Sequence, residues 1–254
     1  EALEQYANIT DPNRRAYAAM ISVMDEQIGQ VVEALERRGM RDNTLIVFQS
    51  DNGGPRSAAV TGEVDTSGGT IPADNGIFRD GKGSLYEGGT RVVALANWPG
   101  QLKPGSVANQ PMHMIDWYPT FAALAGASSD PAKPLDGLNV WPALANGENI
   151  DRDAVGFDVE PLRAAVHSGD WKLVWKTALP SKVELFNIAQ DPSEETNLAN
   201  QNLRIVAELK QRIEKMAGEA EPSLFLTEAL GAAKSLLFTS VALPEDAEAI
   251  ENQP

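Results

Sequence analysis

Asp51, Asn52 and Lys82 are the residues of this sequence whose types and settings could do chemistry. Asp51 and Asn52 stand in the run S-D-N-G-G and offer one carboxylate and one amide oxygen, the hard donors that Ca²⁺ or Mg²⁺ prefers. Lys82 stands between two glycines, so little side-chain bulk would keep an anionic group from its ammonium. Together these residues predict a metal-binding sheet edge with a cation that binds an oxyanion. The alternative is a plain turn, because Asp-Asn-Gly-Gly is also a common turn sequence.

A helix and two strands must position these side chains. Thr44 to Gln49 is a short β-branched and apolar run, which predicts a buried strand ending at the S-D-N-G-G turn. Ligands bind at that edge in open α/β sheets. Apolar spacing predicts a helix from Pro12 to Arg38, and Arg91 to Ala96 predicts a second buried strand. This α-then-β order predicts an α/β fold that contains part of a mixed, mostly parallel sheet flanked by helices.

The last hundred residues follow a different pattern. Four short strand candidates with turns between them occur at Ala154–Val159, Arg163–Val166, Trp171–Lys176 and Val183–Asn187. A helix from about Asn202 to Ala217 has one apolar face and should cover them. We therefore predict a small C-terminal antiparallel sheet with a packed helix. The predicted divisions of the chain are residues 1–150, residues 151–218 and an acidic tail or arm over residues 219–254.

Composition excludes several classes of function. The formal net charge of −15 repels nucleic acids and anionic membranes, so an anionic substrate would need a local positive site. The absence of cysteine excludes a disulfide, a thiolate metal site and a cysteine nucleophile within this chain. No apolar run has the length of about eighteen residues that a membrane span needs. Because the sequence starts with Glu1 and has no signal-like segment, we expect an excised or processed piece.

Four other polar residues receive structural or surface interpretations. The long Gly- and Ser-rich loop from Pro55 to Asp80 favours a functional rim where substrate selectivity lies. Arg56 and Arg79 in that loop are favoured as solvated surface charges. His113 is interpreted as a satisfied, non-catalytic histidine, and His167 as an exposed or locally bonded imidazole at a turn.

Four motifs of this chain together resemble the sulfatase family of the alkaline-phosphatase-like superfamily. They are S-D-N-G-G at 50–54, G-K-G-S-L-Y-E-G-G-T-R-V at 81–92, R-A-A-V-H-S-G-D-W-K-L-V at 163–174 and E-L-F-N-I-A-Q-D-P-S-E-E-T-N-L-A at 184–199. The resemblance implies that Asp51 and Asn52 are Ca²⁺ ligands, with Ca²⁺ preferred over Mg²⁺, and that Lys82 contacts the sulfate. The chain departs from the family pattern at Val93, where Pro is frequent, and at Phe186, where Tyr is usual.

The family nucleophile has no counterpart in this sequence. In sulfatases it is a formylglycine made from Cys or Ser in a C/S-x-P-x-R motif, and this sequence contains no such motif. The resemblance places the formylglycine and further His, Lys and Asp residues ahead of the segment that corresponds to Glu1. The chain therefore looks like the C-terminal half of a sulfatase, and we expect the isolated chain to be inactive.

The resemblance also implies partners and a compartment. The expected partners are the missing N-terminal half and a substrate that is a small sulfate ester or a sulfated glycan. No nucleic acid or membrane is expected. Residues 219–254 offer an arm through which copies of the chain could form a homo-oligomer. The family favours a periplasmic or extracellular location.

Two other functions stay open at this point. A phosphodiesterase or phosphonate hydrolase of the same superfamily would share the metal strand, although an Asp-His pair in place of Asp51-Asn52 would be more typical of the phosphatase side. A non-catalytic binding or structural module is the third hypothesis, because the nucleophile motif is absent. The sequence that precedes Glu1 would discriminate the enzyme from the module.

Overall fold

The computed structural model describes residues 1–55, 73–127, 134–160, 162–177 and 180–221, together with residue 228. The chain divides into two compact units, Glu1–Glu214 and Lys215–Pro254. Most of the predicted acidic arm, and with it the predicted oligomer contact, lies outside the described residues, as does Arg56. The predicted divisions at residues 150 and 218 stay predictions.

The described elements are six α-helices and six strands, with the last four strands in succession. The helices are α1 (Ala2–Gln5), α2 (Pro12–Arg37), α3 (Glu87–Thr90), α4 (Trp117–Leu124), α5 (Trp141–Asn146) and α6 (Leu203–Glu219). The strands are β1 (Ile46–Gln49), β2 (Ala94–Asn97), β3 (Val155–Glu160), β4 (Arg163–Ser168), β5 (Trp171–Lys176) and β6 (Lys182–Asn187). Within the described part of the chain, no helix combines the length and the apolar character that crossing a membrane requires.

Helix α2 confirms the prediction and shows its cause. The side chain of Asp11 accepts a hydrogen bond from the backbone of Arg14 at 2.7 Å, which caps the first turn, and Pro12 occupies that turn without loss of a helical hydrogen bond. The helix ends at Arg37, one residue before the predicted end. Gly39 follows with φ of 64°, a left-handed conformation that glycine adopts without strain.

The apolar face of α2 is largely exposed in this chain. Ala19 is the buried residue of the helix, whereas Met20 and Val31 on the apolar spacing are 69% and 60% exposed. An amphipathic helix normally gains its stability by burying such a face against another layer. The described residues do not supply that layer.

Strands β1 and β2 form an antiparallel pair, with Ile46 opposite Asn97 and Gln49 opposite Ala94. The prediction of a second buried strand at Arg91 to Ala96 was wrong in position and in burial: β2 starts at Ala94, and Leu95 is 64% exposed. All strand pairs among the described residues are antiparallel, so the mostly parallel sheet is not seen there. The apolar pattern of a strand shows that the strand can be buried, but it shows neither whether another segment covers it nor the direction of its neighbour. These two features could therefore not be read from the pattern.

The C-terminal antiparallel sheet is confirmed, in the order β3-β4-β5-β6. One face of its two central strands carries Ala165 and Val174, and the neighbouring strand β6 adds Phe186 to that face. All three are at most 1% exposed. On the other face Trp175 meets Lys210 of α6, whose ammonium lies 4.5 Å from the ring centroid. The sheet therefore has one face for α6 and one face for the residues that follow Lys82.

Candidate active site

The loop of Asp51 and Asn52 and the loop of Lys82 are joined directly through their backbones. Gly53 donates its N–H to the carbonyl of Gly89 at 3.0 Å, and Lys82 donates its N–H to the carbonyl of Gly54 at 3.1 Å. The two predicted functional segments, about thirty residues apart in the sequence, thus form one structure. Asp51, Asn52 and Lys82 can therefore belong to one site.

Asn75 fastens the same junction, and sequence reasoning missed it. Its amide oxygen accepts from Gly54 N at 2.8 Å, while its amide nitrogen donates to the carbonyls of Gly54 at 2.9 Å and of Asp80 at 2.8 Å. One side chain therefore satisfies three backbone groups from both sides of the junction. A lone Asn in a polar loop carries no signal of such a role, because its partners lie at the loop's two ends.

The glycines of the two motifs are required by close packing. A Cβ at Gly53 would lie 1.6 Å from the carbonyl oxygen of Gly88, and a Cβ at Gly88 would lie 2.2 Å from that of Asp80. A Cβ at Gly89 would lie 2.4 Å from the carbonyl oxygen of Ser84. Backbone meets backbone at each point, so no side chain could rotate away. These glycines therefore serve contact between loops in addition to local turn geometry.

The predicted metal ligands lie at the rim of this junction. Asp51 is exposed and Asn52 is half-buried, and the amide nitrogen of Asn52 donates to the carbonyl of Gly53 at 2.9 Å. The hydroxyl of Ser50 donates to the carbonyl of Asn52 at 2.8 Å, which stiffens the turn. Within the described ranges, no group of three or more His, Asp or Glu side chains is placed to hold a metal ion. One carboxylate and one amide oxygen fit Ca²⁺ in kind but are few in number.

Lys82 lies in a tight turn that the C-terminal sheet supports. Ser84 donates its N–H to the carbonyl of Gly81 at 3.0 Å, and Gly83 has φ of 83°. The next residues, Leu85 and Tyr86, are 1% and 4% exposed and pack with Ala165, Val174 and Phe186 of the sheet. The Lys82 loop is therefore held between the loop of Asp51 and Asn52 and the C-terminal sheet.

Three charged side chains, of Arg79, Lys176 and Glu184, contact the buried side chain of Tyr86. Its hydroxyl donates to a carboxylate oxygen of Glu184, and burial together with that bond holds the pKa of Tyr86 far above its usual range. Burial would raise the pKa of Glu184, but the hydrogen bonds from Tyr86 and Lys182 and the charge of Arg79 outweigh it and lower that pKa. Glu184 thus stays ionised within the sheet face that receives the loop.

Arg79 is not the solvated surface charge that the sequence favoured. Its guanidinium lies 3.8 Å from the centroid of the Tyr86 ring, and one nitrogen donates to the carbonyl of Glu194 at 3.0 Å. The same nitrogen lies 3.5 Å from a carboxylate oxygen of Glu184. Glu184 and Glu194 lie more than a hundred residues from Arg79, which is why the loop sequence did not reveal this role.

His113 makes local hydrogen bonds, as predicted for a satisfied histidine. Its ring nitrogen Nδ1 accepts from Ile115 N at 3.2 Å, and the backbone N–H of His113 donates to the carboxylate of Asp116 at 2.7 Å. Burial lowers the pKa of His113, although the charge of Asp116 opposes this. Asp116 is itself 1% exposed and is paired with Arg152 at 2.5 Å. His113 and Asp116 therefore form a capping box at the start of the short helical turn that precedes α4.

His167 does not lie at a turn, as the sequence suggested. It belongs to β4, where it pairs with Val155 on one side and Lys172 on the other, and it is half-buried. Burial lowers its pKa, with the charge of Glu87 acting in the opposite direction. The strand extends two residues further than the sequence pattern showed, because His167 pairs with Lys172 and Ser168 pairs with Trp171 across the hairpin.

Comparison with known proteins gives two family models that overlap along the chain. The model described as Sulfatase matches residues 1–127, and the model described as N-sulphoglucosamine sulphohydrolase, C-terminal, matches residues 75–219. Arylsulfatase J of Mus musculus is 34% identical over 185 residues, which are 72% of this chain and 29% of that protein. Steryl-sulfatase of Mus musculus is 39% identical over 162 residues, which are 63% of this chain and 25% of that protein.

Solved structures agree with this likeness. The structure of Ps i-CgsB in complex with k-i-k-neocarrahexaose is 35% identical, with a TM-score of 0.74, and the match covers 85% of this chain and 46% of that one. The phosphonate monoester hydrolase of Agrobacterium radiobacter, at 24% identity and a TM-score of 0.54, shares the fold alone, over 80% of this chain and 41% of that one. The chain thus spans about a quarter to a half of the proteins it resembles.

Proposed function

The chain belongs to the sulfatase family, and on this premise we propose that Asp51, Asn52 and Lys82 contribute to a site that hydrolyses sulfate esters. The observation that carries the proposal is the junction of their two loops. The bonds from Gly53 to Gly89 and from Lys82 to Gly54 hold a pair of hard oxygen donors and a cation in one rigid unit. The alternative, a plain surface turn and an independent loop lysine, does not require these hydrogen bonds between the two loops.

The chemistry follows from what a sulfate ester needs. The site must bind a tetrahedral anion and must stabilise the negative charge that grows on the leaving oxygen as the S–O bond breaks. Asp51 and Asn52 would hold Ca²⁺, which when bound supplies positive charge beside the sulfate oxygens. The ammonium of Lys82 would donate a hydrogen bond to a sulfate oxygen or to the bridging oxygen. Its short-range charge acts where the overall charge of −15 would repel the substrate.

The nucleophile is proposed to come from outside this sequence. The chain contains no C/S-x-P-x-R motif, so no formylglycine can form from its own residues. The exposed apolar face of α2, with Met20 69% and Val31 60% exposed, and the 64% exposed Leu95 of β2 support an additional layer of protein over these elements. We propose that the remainder of a sulfatase forms that layer.

The substrate class proposed for the complete protein is a sulfate ester, either a small molecule or a sulfated glycan. The proteins of similar sequence carry the names of sulfatases for both kinds of compound, aryl and steryl sulfates on one side and N-acetylgalactosamine 6-sulfate on the other. Their names do not select between the two for this chain. The chemistry at Lys82 is the same for either, because both present the same sulfate group.

The first prediction tests this function. The polypeptide of these 254 residues is expected to show no turnover of an aryl sulfate, because it lacks an aldehyde nucleophile. Activity is expected when the chain is part of a sulfatase whose other half carries C/S-x-P-x-R. A parallel assay with an aryl phosphonate monoester discriminates the alternative hydrolase. Turnover of aryl sulfate by the purified chain alone, lost on Lys82→Ala, would show that the proposed division of the site is wrong.

The second prediction concerns the metal. Ca²⁺ takes six to eight oxygen ligands, and Asp51 with Asn52 supplies at most three, so the 254-residue chain should bind Ca²⁺ at roughly millimolar strength or weaker. Isothermal titration calorimetry of the chain, of Asp51→Ala and of Asp25→Ala measures this. Asp25 is the matched control because it is an exposed aspartate on α2. Micromolar affinity that survives Asp51→Ala would place the ion elsewhere.

A further inference from the structure

Three ionisable side chains are buried together behind the Lys82 loop, and we refer to Lys172, Glu87 and Glu194 as the ionic cluster. The ammonium of Lys172 lies 2.8 Å from Glu87 Oε1 and 3.2 Å from Glu194 Oε1. The side chains of Lys172 and Glu194 are fully buried and that of Glu87 is 6% exposed. Burial of charge is costly unless the charges are paired, so the three positions depend on one another.

The ionic cluster links three separate parts of the chain. Lys172 belongs to β5 of the C-terminal sheet, Glu87 starts α3, and Glu194 follows β6 in the segment D-P-S-E-E-T. Glu194 also accepts the backbone N–H of Glu87 at 2.6 Å. Its φ of 54° is a left-handed conformation that costs a residue other than glycine free energy, and this carboxylate points into the ionic cluster. Glu194 therefore holds the backbone N–H of Glu87, and Lys172 holds its carboxylate.

A short path connects Glu87 to Lys82. The residue after Glu87, Gly88, donates its N–H to the carbonyl of Arg79 at 2.8 Å, which closes the segment 79–88 into a loop. Lys82 lies within that loop, and its backbone N–H donates to the carbonyl of Gly54, which follows Asp51 and Asn52. Any shift of Glu87 would move Gly88, whose backbone is packed within van der Waals distance of Gly53 and Asp80. The orientation of Lys82 relative to Asp51 and Asn52 thus depends on where Glu87 is held.

We infer that Lys172 is a positioning residue for Lys82, acting through Glu87 and α3, and this inference rests on the function proposed for Lys82. Stability alone does not account for the ionic cluster, because well-packed apolar residues of similar volume often match or exceed a buried ion group in stability. The ammonium fixes the direction and distance of two carboxylates, which an apolar side chain would not do. The C-terminal sheet thereby takes part in the site although none of its strands bears a proposed ligand.

The test uses kinetics of the complete sulfatase with an aryl sulfate. The double variant Lys172→Met/Glu194→Gln removes one positive and one negative charge, so the net charge of the ionic cluster is unchanged. It is expected to fold, as judged by circular dichroism melting, and to lower kcat about 10- to 100-fold, the loss that a displacement of about 1 Å at a reacting group can cause. A kcat within about threefold of the parent would overturn the inference.

A double-mutant cycle with Lys82→Ala separates positioning from general damage. If Lys172 acts through Lys82, adding Lys172→Met/Glu194→Gln to the Lys82→Ala enzyme should lower its kcat by less than about threefold relative to Lys82→Ala alone. A structural defect independent of Lys82 would instead multiply the two losses, and that result overturns the inference. If Lys82→Ala itself leaves kcat unchanged, the proposed role of Lys82 fails and the inference fails with it.

The matched control removes another ion pair from the same subdomain. Arg212 of α6 donates to Asp153 at 3.0 and 2.7 Å, and the two side chains are 32% and 75% exposed, so this pair is not part of the ionic cluster. Arg212→Met/Asp153→Asn is expected to leave kcat within about twofold of the parent. An equal loss in this control would overturn the assignment to Lys172.

Should the double variant fail to fold, Lys172→Arg replaces it. Arginine keeps the positive charge that the two carboxylates need, but its planar fork cannot reproduce contacts at 2.8 and 3.2 Å from a single ammonium. The expected result is a folded enzyme with kcat lowered about tenfold and no further loss in the Lys82→Ala background. A folded Lys172→Arg enzyme with the kcat of the parent would overturn the inference.

Discussion

Lys82→Ala in the complete sulfatase is expected to lower kcat about 10²- to 10³-fold, the usual loss when one donor to a developing negative charge is removed. The reason is that charge on the leaving oxygen is larger in the transition state than in the bound substrate, so the ammonium of Lys82 contributes more there. The loss should therefore appear in kcat and not merely as a raised KM. Steady-state kinetics with an aryl sulfate measures both.

Two further variants make the Lys82 result specific. Lys82→Arg should restore little activity, because a planar guanidinium does not replace a point charge on a flexible stem in a turn confined by Gly81 and Gly83. Lys103→Ala is the control, because Lys103 is an exposed loop lysine, and its kcat should match the parent. A kcat of Lys82→Ala within about threefold of the parent would remove Lys82 from the site.

Gly53→Ala is expected to destabilise the 254-residue chain by about 3 kcal/mol or more. The added Cβ would lie 1.6 Å from the carbonyl oxygen of Gly88, and the obstacle is backbone, so the two loops would have to separate. That separation would also break the bond from Gly53 to Gly89. Urea unfolding followed by circular dichroism measures the change in the free energy of unfolding.

Gly29→Ala is the matched control for Gly53→Ala. Gly29 lies in α2, and a Cβ there would meet no atom within 4 Å. Alanine is favoured over glycine inside a helix by up to about 1 kcal/mol, so this change should be neutral or stabilising. A loss below about 0.5 kcal/mol for Gly53→Ala would mean that the two loops are not packed as described.

The sequence by itself determined the local elements and the family. The cap Asp11-Pro12, the apolar spacing and Gly39 defined α2 to within one residue, because these signals act between neighbours in the chain. The four C-terminal strands were found for the same reason: hairpins pair residues that are close in sequence. The motifs around Asp51 and Lys82 indicated a sulfatase because several specific residue types recur at fixed spacing.

The tertiary structure alone decided which residues hold the site together. Asn75, Glu87, Lys172 and Glu194 were not singled out, although Glu87, Lys172 and Glu194 stand within the quoted motifs. Glu87 and Lys172 are 85 residues apart, and nothing in either segment states that their charges meet in a fully buried place. Long-range pairing depends on how sheets, loops and helices stack, and that information is spread over the whole chain.

Burial was the property least determined by sequence. The same kind of apolar pattern predicted buried faces for α2, for β2 and for the C-terminal sheet, yet Met20 and Leu95 are exposed while Val174 is fully buried. An apolar pattern shows that a surface can be covered, but whether it is covered depends on the layers that other segments supply. The motif glycines show the converse case: their spacing was evident, and the contact between Gly53 and Gly88 that requires them exists only once the two loops have met.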